Sequence, residues 1–162
     1  MHYQIRKAQP HEWSMAEQVA EAAFGDYEAG HGDWFRTLRD AHPMRVLAES
    51  AEVLVAVAGD EIVGAVGYMR PGIPRHEFFP LDWAILRMLS VPPRHRGNGI
   101  ARALVQACIE CARRDQATIL GLYTSPIMKA AIPLYLSIGF VHQRVLAPEL
   151  GVPCDLYSLR VG

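Results

Sequence analysis

In the middle of the chain the apolar run Ala84 to Val91 stops at Pro92-Pro93, passes through Arg94-His95-Arg96-Gly97-Asn98-Gly99 and enters a long amphipathic segment. This succession narrows the available folds more than any other feature. Proline has no ladder donor, so an apolar run closed by prolines reads as a buried central strand that ends there. From Gly99 to about Arg114, Ile100, Leu104, Cys108 and Cys111 share one face, flanked by Ala101, Val105 and Ala112, which is helical spacing. A buried strand, a glycine loop and an amphipathic helix in direct succession require a sheet with a helical layer against it.

The flanking segments supply the rest of that sheet. Tyr3 to Arg6 alternates and can be a first strand. Trp13, Ala16, Val19, Ala20, Ala23 and Phe24 share a helical face that runs from His11 to Gly25. Trp34, Phe35 and Leu38 predict a second helix, stopped near Pro43. Val53 to Ala58, a Gly59-Asp60 turn and Glu61 to Met69 read as a hairpin. Arg70 to Pro80 carries three prolines and reads as a loop. Thr118 to Tyr123 is a strand. Ser125-Pro126 resembles an N-cap with proline at the first helical position, opening a helix that closes at Gly139. In that helix Pro133 would remove a hydrogen bond and bend the chain. Phe140 to Leu146 and Leu156 to Val161 are the last strands. The expected fold is α/β (α+β): a mixed, mostly antiparallel twisted sheet of about six to seven strands, flanked by about four helices that cover one face, in a single domain over residues 1–162.

Composition removes whole classes of function. The chain has 16 basic and 17 acidic side chains, a formal charge of −1, 51% hydrophobic and 20% charged residues. That balance excludes disorder and argues against nucleic-acid binding, which needs a basic surface. No apolar run reaches the roughly 18 residues of a membrane span, and Met1 to Lys7 lacks the apolar core of a signal peptide, so a cytoplasmic location is expected. Cys108, Cys111 and Cys154 form an odd set without a secretory context. Cys108 and Cys111 lie inside a helix rather than at its start and lack further nearby ligands, so they read as packing, with no metal site.

The loop after the central strand is where chemistry can reside. A helix start leaves amide N–H groups unpaired and carries positive partial charge, which suits a phosphate. Glycines let the backbone approach the anion, and Arg94 and Arg96 add forked donors. The competing reading is a strand-to-helix turn that needs glycine for positive φ. The third glycine of the dinucleotide fingerprint is missing, and so is the GxxxxGK[ST] loop.

Arg94-His95-Arg96-Gly97-Asn98-Gly99 resembles the Q/R-x-x-G-x-G/A signature of the GCN5-related N-acetyltransferase (GNAT) superfamily. Leu89-Ser90-Val91-Pro92 is similar to the strand end that precedes it there. Ala131-Ile132-Pro133-Leu134-Tyr135 with Gly139-Phe140 resembles the second motif of that superfamily. The resemblance implies acetyl-CoA as acyl donor, without a metal. It assigns the CoA pyrophosphate to Arg94, Arg96, Gly97, Asn98, Gly99, Ile100 and Ala101, and the pantetheine arm to the strand end at Leu89, Ser90 and Val91. Backbone N–H there would polarise the thioester carbonyl. Tyr135 takes the place of the tyrosine that protonates the departing thiolate. The implied reaction is acetyl transfer to a primary amine, a small molecule or a peptide N-terminus, by direct attack in a ternary complex; the alternative is a non-catalytic acyl-CoA sensor. A homodimer is an expectation at family level.

Two departures from the pattern stand out. Met128 replaces an asparagine often found seven residues before the tyrosine, and Arg87 replaces the glutamate that serves many members as general base. Other candidates for that base are His76, Glu77, Asp82, Asp26, Glu28, His31 and Asp33, and none is assigned. Residues 11–42 hold Glu12, Glu17, Glu21, Asp26, Glu28, Asp33 and Asp40 against Arg36 and Arg39. An acidic wall would attract a cationic amine, although such residues more often form a solvated helix face. Phe24, Tyr27, Trp34 and Phe35 at helical spacing read as core.

Overall fold

A computed structural model describes all 162 residues. The amphipathic and alternating segments become strand β1 (Gln4–Lys7), helices α1 (Trp13–Phe24), α2 (Gly32–Asp40) and α3 (Pro43–Ser50), and strands β2 (Glu52–Ala58), β3 (Glu61–Met69) and β4 (Ala84–Ser90). Helix α4 (Ile100–Arg114), strand β5 (Ile119–Thr124), helix α5 (Ala131–Ile138) and strands β6 (Val141–Glu149) and β7 (Val152–Arg160) follow. One sheet holds all seven strands in the order β1-β2-β3-β4-β5-β7-β6. Every neighbouring pair is antiparallel except β4 with β5, which is parallel.

Both faces of the sheet are covered, not one. Ala16, Val19 and Ala20 of α1 and Met44 and Leu47 of α3 pack with Val53, Val55, Ala65 and Ile85. On the opposite face Ile100, Leu104, Val105 and Cys108 of α4 and Tyr135 of α5 pack with Leu54, Val66, Leu86 and Leu120. The unbroken apolar run Val53 to Ala58 of β2 is what two-sided burial requires, since alternation survives only where one face meets water. A Cβ on Gly64 would lie 2.7 Å from Ile100 Cγ2, so this glycine lets the first turn of α4 sit directly on β3.

Three expectations about helices change. Pro43 does not merely stop a helix: α2 ends at Asp40, His42 adopts φ +48°, and Pro43 opens α3. The start of α3 is satisfied from a distance, where the Glu17 carboxylate of α1 accepts the backbone N–H of Met44 (3.1 Å) and Arg45 (3.3 Å). The last helix begins at Ala131 rather than near Ser125. Ser125 Oγ accepts the Ile127 N–H and its carbonyl accepts the Met128 N–H, closing a turn instead. Pro133 therefore falls in the first turn of α5, where its missing N–H costs nothing and no bend is needed. The final hairpin turns at Leu150-Gly151, both with positive φ, so β7 starts at Val152 instead of Leu156.

Candidate active site

Strands β4 and β5 pair only at Ala84–Leu120 and Ile85–Gly121. Beyond that point they separate, because β4 bulges. Gly67 faces Arg87 and Ala65 faces Ser90, so Met88 and Leu89 together oppose Val66. Met88 takes φ +57°, a conformation costing a side chain about 1–2 kcal/mol. Ser90 Oγ donates to the Met88 carbonyl at 2.8 Å and braces the bulge. The gap opens a cleft of about 400 Å³ that passes through the sheet. Leu89 and Val91 pack toward the α4–α5 face, whereas Met88 and Tyr123 pack toward the α1–α3 face.

One end of the cleft is the glycine loop. Gly97 (φ +83°) and Gly99 (φ +75°) are both left-handed, and no atom lies within 4 Å of where a Cβ on Gly97 would stand. The turn reading and the anion reading are thus compatible: positive φ shapes the loop, and the missing side chains leave it open. No side chain caps α4, whose first internal bond runs from Ala103 N–H to Gly99 carbonyl. The amides of Ile100, Ala101 and Arg102 are thereby free of helical partners and carry the positive end of the helix dipole. Arg102 lines the same space and donates to Ser137 Oγ at 2.7 Å, bridging α4 to α5. This donor set suits a diphosphate.

The residues named from sequence are distributed unevenly about this end. Leu89, Val91, Arg96, Gly97, Gly99, Ile100 and Ala101 line the cleft. Arg94 turns aside to pair with Glu61 and His95, Asn98 donates its amide to the His95 carbonyl, and Ser90 is committed to the bulge. Arg96 clasps the end of α1, through Asp26 at 2.9 Å and the Ala23 carbonyl at 3.1 Å, while its Nε donates to the Val91 carbonyl. Arg102 was missed because nothing in the loop motif marks a charge one turn into the helix.

Tyr135 lines the middle of the cleft, buried, with its ring edge-on to Phe140 at 5.6 Å. Burial pushes its phenol above the ordinary range, and nearby Cys108 and Tyr27 act the same way, so it stays protonated. Met128, at the position where an asparagine was noted as absent, also lines the cleft and receives the Thr124 hydroxyl on its sulfur at 3.4 Å.

The rest of the cleft wall is assembled from segments far apart in sequence. Phe24, Tyr27 and Trp34 form an aromatic trio with centroids 5.9–6.3 Å apart. Trp34 is both core and wall: it is buried, yet it lines the cleft. Arg87 donates to Tyr123 Oη at 3.1 Å and lies 5.1 Å from the centre of that ring. Glu149, at the end of β6, also faces the cleft. Burial raises the Tyr123 pKa, opposed by the Arg87 charge and aided by Glu149. His76 stacks on Phe78 and meets Tyr123 edge-on, and burial followed by the Arg87 charge lowers its pKa.

The acids of residues 11–42 are largely spoken for. Glu12 pairs with Arg6, Asp26 with Arg96, Glu28 and Asp33 with Arg36, and Asp40 with Arg39, while Glu17 caps α3. The carboxylate that faces the cleft is instead Glu149. Cys108 is fully buried with its thiol pushed up, as packing requires. No helix is long and apolar enough to cross a membrane.

Residues 9–140 match the Acetyltransferase (GNAT) family. The chain belongs to that family. It is 40% identical over 86 residues to N-acetyltransferase 8 of Rattus norvegicus, covering 53% of this chain and 37% of that one. It therefore spans just over a third of the length of that relative. The PaiA N-acetyltransferase of Thermoplasma acidophilum, solved with coenzyme A, superposes with a TM-score of 0.79 at 15% identity, covering 99% of each chain. For yncA of Salmonella typhimurium, solved with its cofactor acetyl-CoA, the TM-score is 0.72 at 19% identity, covering 99% of this chain and 94% of that one. At such identities the likeness is one of fold. It matches the mixed, mostly antiparallel sheet expected from the sequence.

Proposed function

We propose that this chain is an acetyl-CoA-dependent N-acetyltransferase that acts on a primary amine. The observation that carries the reading is the through-sheet cleft. It joins an uncapped helix start with left-handed glycines to a buried tyrosine, and then to a charged and aromatic chamber on the opposite face. Membership of the family and the ligands named for yncA and the PaiA enzyme support acetyl-CoA as donor.

In this reading the amides at 97–102, with Arg96 and Arg102, hold the pyrophosphate. Backbone groups of Leu89 and Val91 hold the pantetheine arm, and the strand-end N–H stabilises negative charge on the thioester oxygen. The neutral amine attacks the carbonyl carbon, the C–S bond breaks, and Tyr135 gives its proton to the sulfur. The proton released from the amine leaves through the open cleft and restores the phenol. Positioning supplies much of the rate, because donor and acceptor enter from opposite faces of one sheet.

A thiol-release assay with acetyl-CoA across amines, amino acids and peptide N-termini tests this. Thiol release that depends on an amine is expected. Saturable CoA binding without thiol release from any acceptor would replace the enzyme with an acyl-CoA sensor.

A further inference from the structure

The acceptor end contains a cation with no counter-ion. Arg87 takes part in none of the chain's ion pairs. Its one side-chain hydrogen bond goes to Tyr123 Oη, and the Tyr123 ring lies against the guanidinium. The guanidinium has five N–H donors, so it is held in place with most of its capacity unused. It is half-buried and lines the cleft rather than the outer surface. Six of the chain's fourteen arginines form ion pairs, among them Arg6 with Glu12 at 2.7 Å and Arg114 with Glu52 at 2.6 Å; Arg87 is one of the others and is set apart by lining the cleft while half-buried. A half-buried, oriented, unpaired guanidinium inside a ligand cleft is a receptor for a planar anion, above all a carboxylate.

Arg87 stands on the same strand as the proposed reacting centre. It precedes Leu89 by two residues on β4, across the bulge at Met88. Leu89 is where the proposed reaction places the thioester carbonyl. A free amino acid, whose amine and carboxylate are both attached to one α-carbon, is a compact acceptor that presents the two groups together. Glu149, in no ion pair, faces the same chamber and offers the opposite charge to an incoming ammonium. The trio Phe24, Tyr27 and Trp34 adds apolar surface to the same cleft.

Building on the acetyltransferase reading, we propose that the acceptor is a free amino acid with an apolar or aromatic side chain, whose carboxylate is bound by Arg87. Arg87 then selects an acceptor that carries its own negative charge.

The test compares phenylalanine, phenylalaninamide and phenethylamine as acceptors in the thiol-release assay, with the native chain and with Arg87→Gln and Arg87→Lys. The native chain is expected to favour the acid by about 10- to 100-fold in kcat/KM. Arg87→Gln should remove that preference while CoA affinity by calorimetry stays the same, and Arg87→Lys should restore part of it. Equal turnover of acid and amide by the native chain, or an unchanged ratio in Arg87→Gln, would overturn the inference while leaving acetyl transfer intact. If no acceptor supports turnover, calorimetry with N-acetylphenylalanine and its amide on the CoA-loaded protein decides. Binding of the acid alone, lost in Arg87→Gln, supports the carboxylate site even though transfer fails; indifference to the carboxylate refutes it.

Discussion

The two ends of the cleft are built in opposite ways. The loop end comes from one continuous stretch, Arg94 to Arg102, and depends on backbone: two left-handed glycines and a row of amides at the start of α4. The rest of the cleft comes from α1, α2, β4, β5 and β6 and depends on side chains: Arg87, Tyr123, Glu149 and three aromatic rings. Backbone recognition suits a ligand part that does not vary, because amides present the same donors whatever the residue. Side-chain recognition suits a variable partner, because a single side-chain substitution can change it. The contrast predicts that substitutions at one end should change donor affinity and those at the other should change acceptor choice, with Tyr135 between them.

The largest expected effect is Gly99→Glu, which places a carboxylate at the helix start and forces a side chain into φ +75°. CoA affinity by calorimetry should fall by more than about 100-fold with far-UV circular dichroism preserved. Retained affinity would break the assignment of the loop end. Tyr135→Phe should lower kcat about 100-fold at unchanged CoA affinity, as loss of a general acid predicts. An unaltered kcat in single-turnover measurements would remove Tyr135 from the chemistry. Arg102→Ala should weaken CoA binding about 5- to 10-fold, a smaller loss because its charge is exposed and screened. Its effect should shrink in high salt, and acceptor preference should not move.

Glu12→Gln touches neither end and serves as the control. The hydrogen bond from Arg6, then the Gln9 N–H, hold the Glu12 carboxyl at about 2, against an ordinary 4.5. Its folded pKa is depressed, so its stabilisation is present above about pH 4.5 and disappears as pH falls toward 2. With discounting for the partly exposed Arg6, the substitution should cost about 1–2 kcal/mol at pH 7, or roughly 3–6 °C in Tm. The difference from the native chain should vanish at low pH, with kcat and CoA affinity unaltered at pH 7.

Legibility in the sequence followed the same divide. The strand, the glycine loop and α4 could be read directly, because apolar periodicity and positive-φ glycines are local properties. Tyr135 was visible only through the resemblance, and its placement in the cleft depended on a helix whose start was misjudged. Periodicity could have revealed α3, since Met44, Leu47 and Ala48 recur at helical spacing, but Pro43 is equally good as a stop and as a start. The arginine-rich composition also acquires structural content. Arg75 ties the loop before β4 together by donating to the carbonyls of Ile73, Pro80, Trp83 and Arg70, and Arg113 donates to the Val161 carbonyl near the C-terminus.

By itself the sequence determined the central strand–loop–helix unit and the donor-rich helix start. These follow from bonds and contacts within a few residues. Only the tertiary structure decided that Glu17 caps α3, that the acids of the first helices are consumed in pairs, and that Arg87, Tyr123 and Glu149 meet around one chamber. Such meetings depend on the bulge at Met88 and the separation of β4 from β5. Chain order does not encode which distant side chains a splayed sheet brings together.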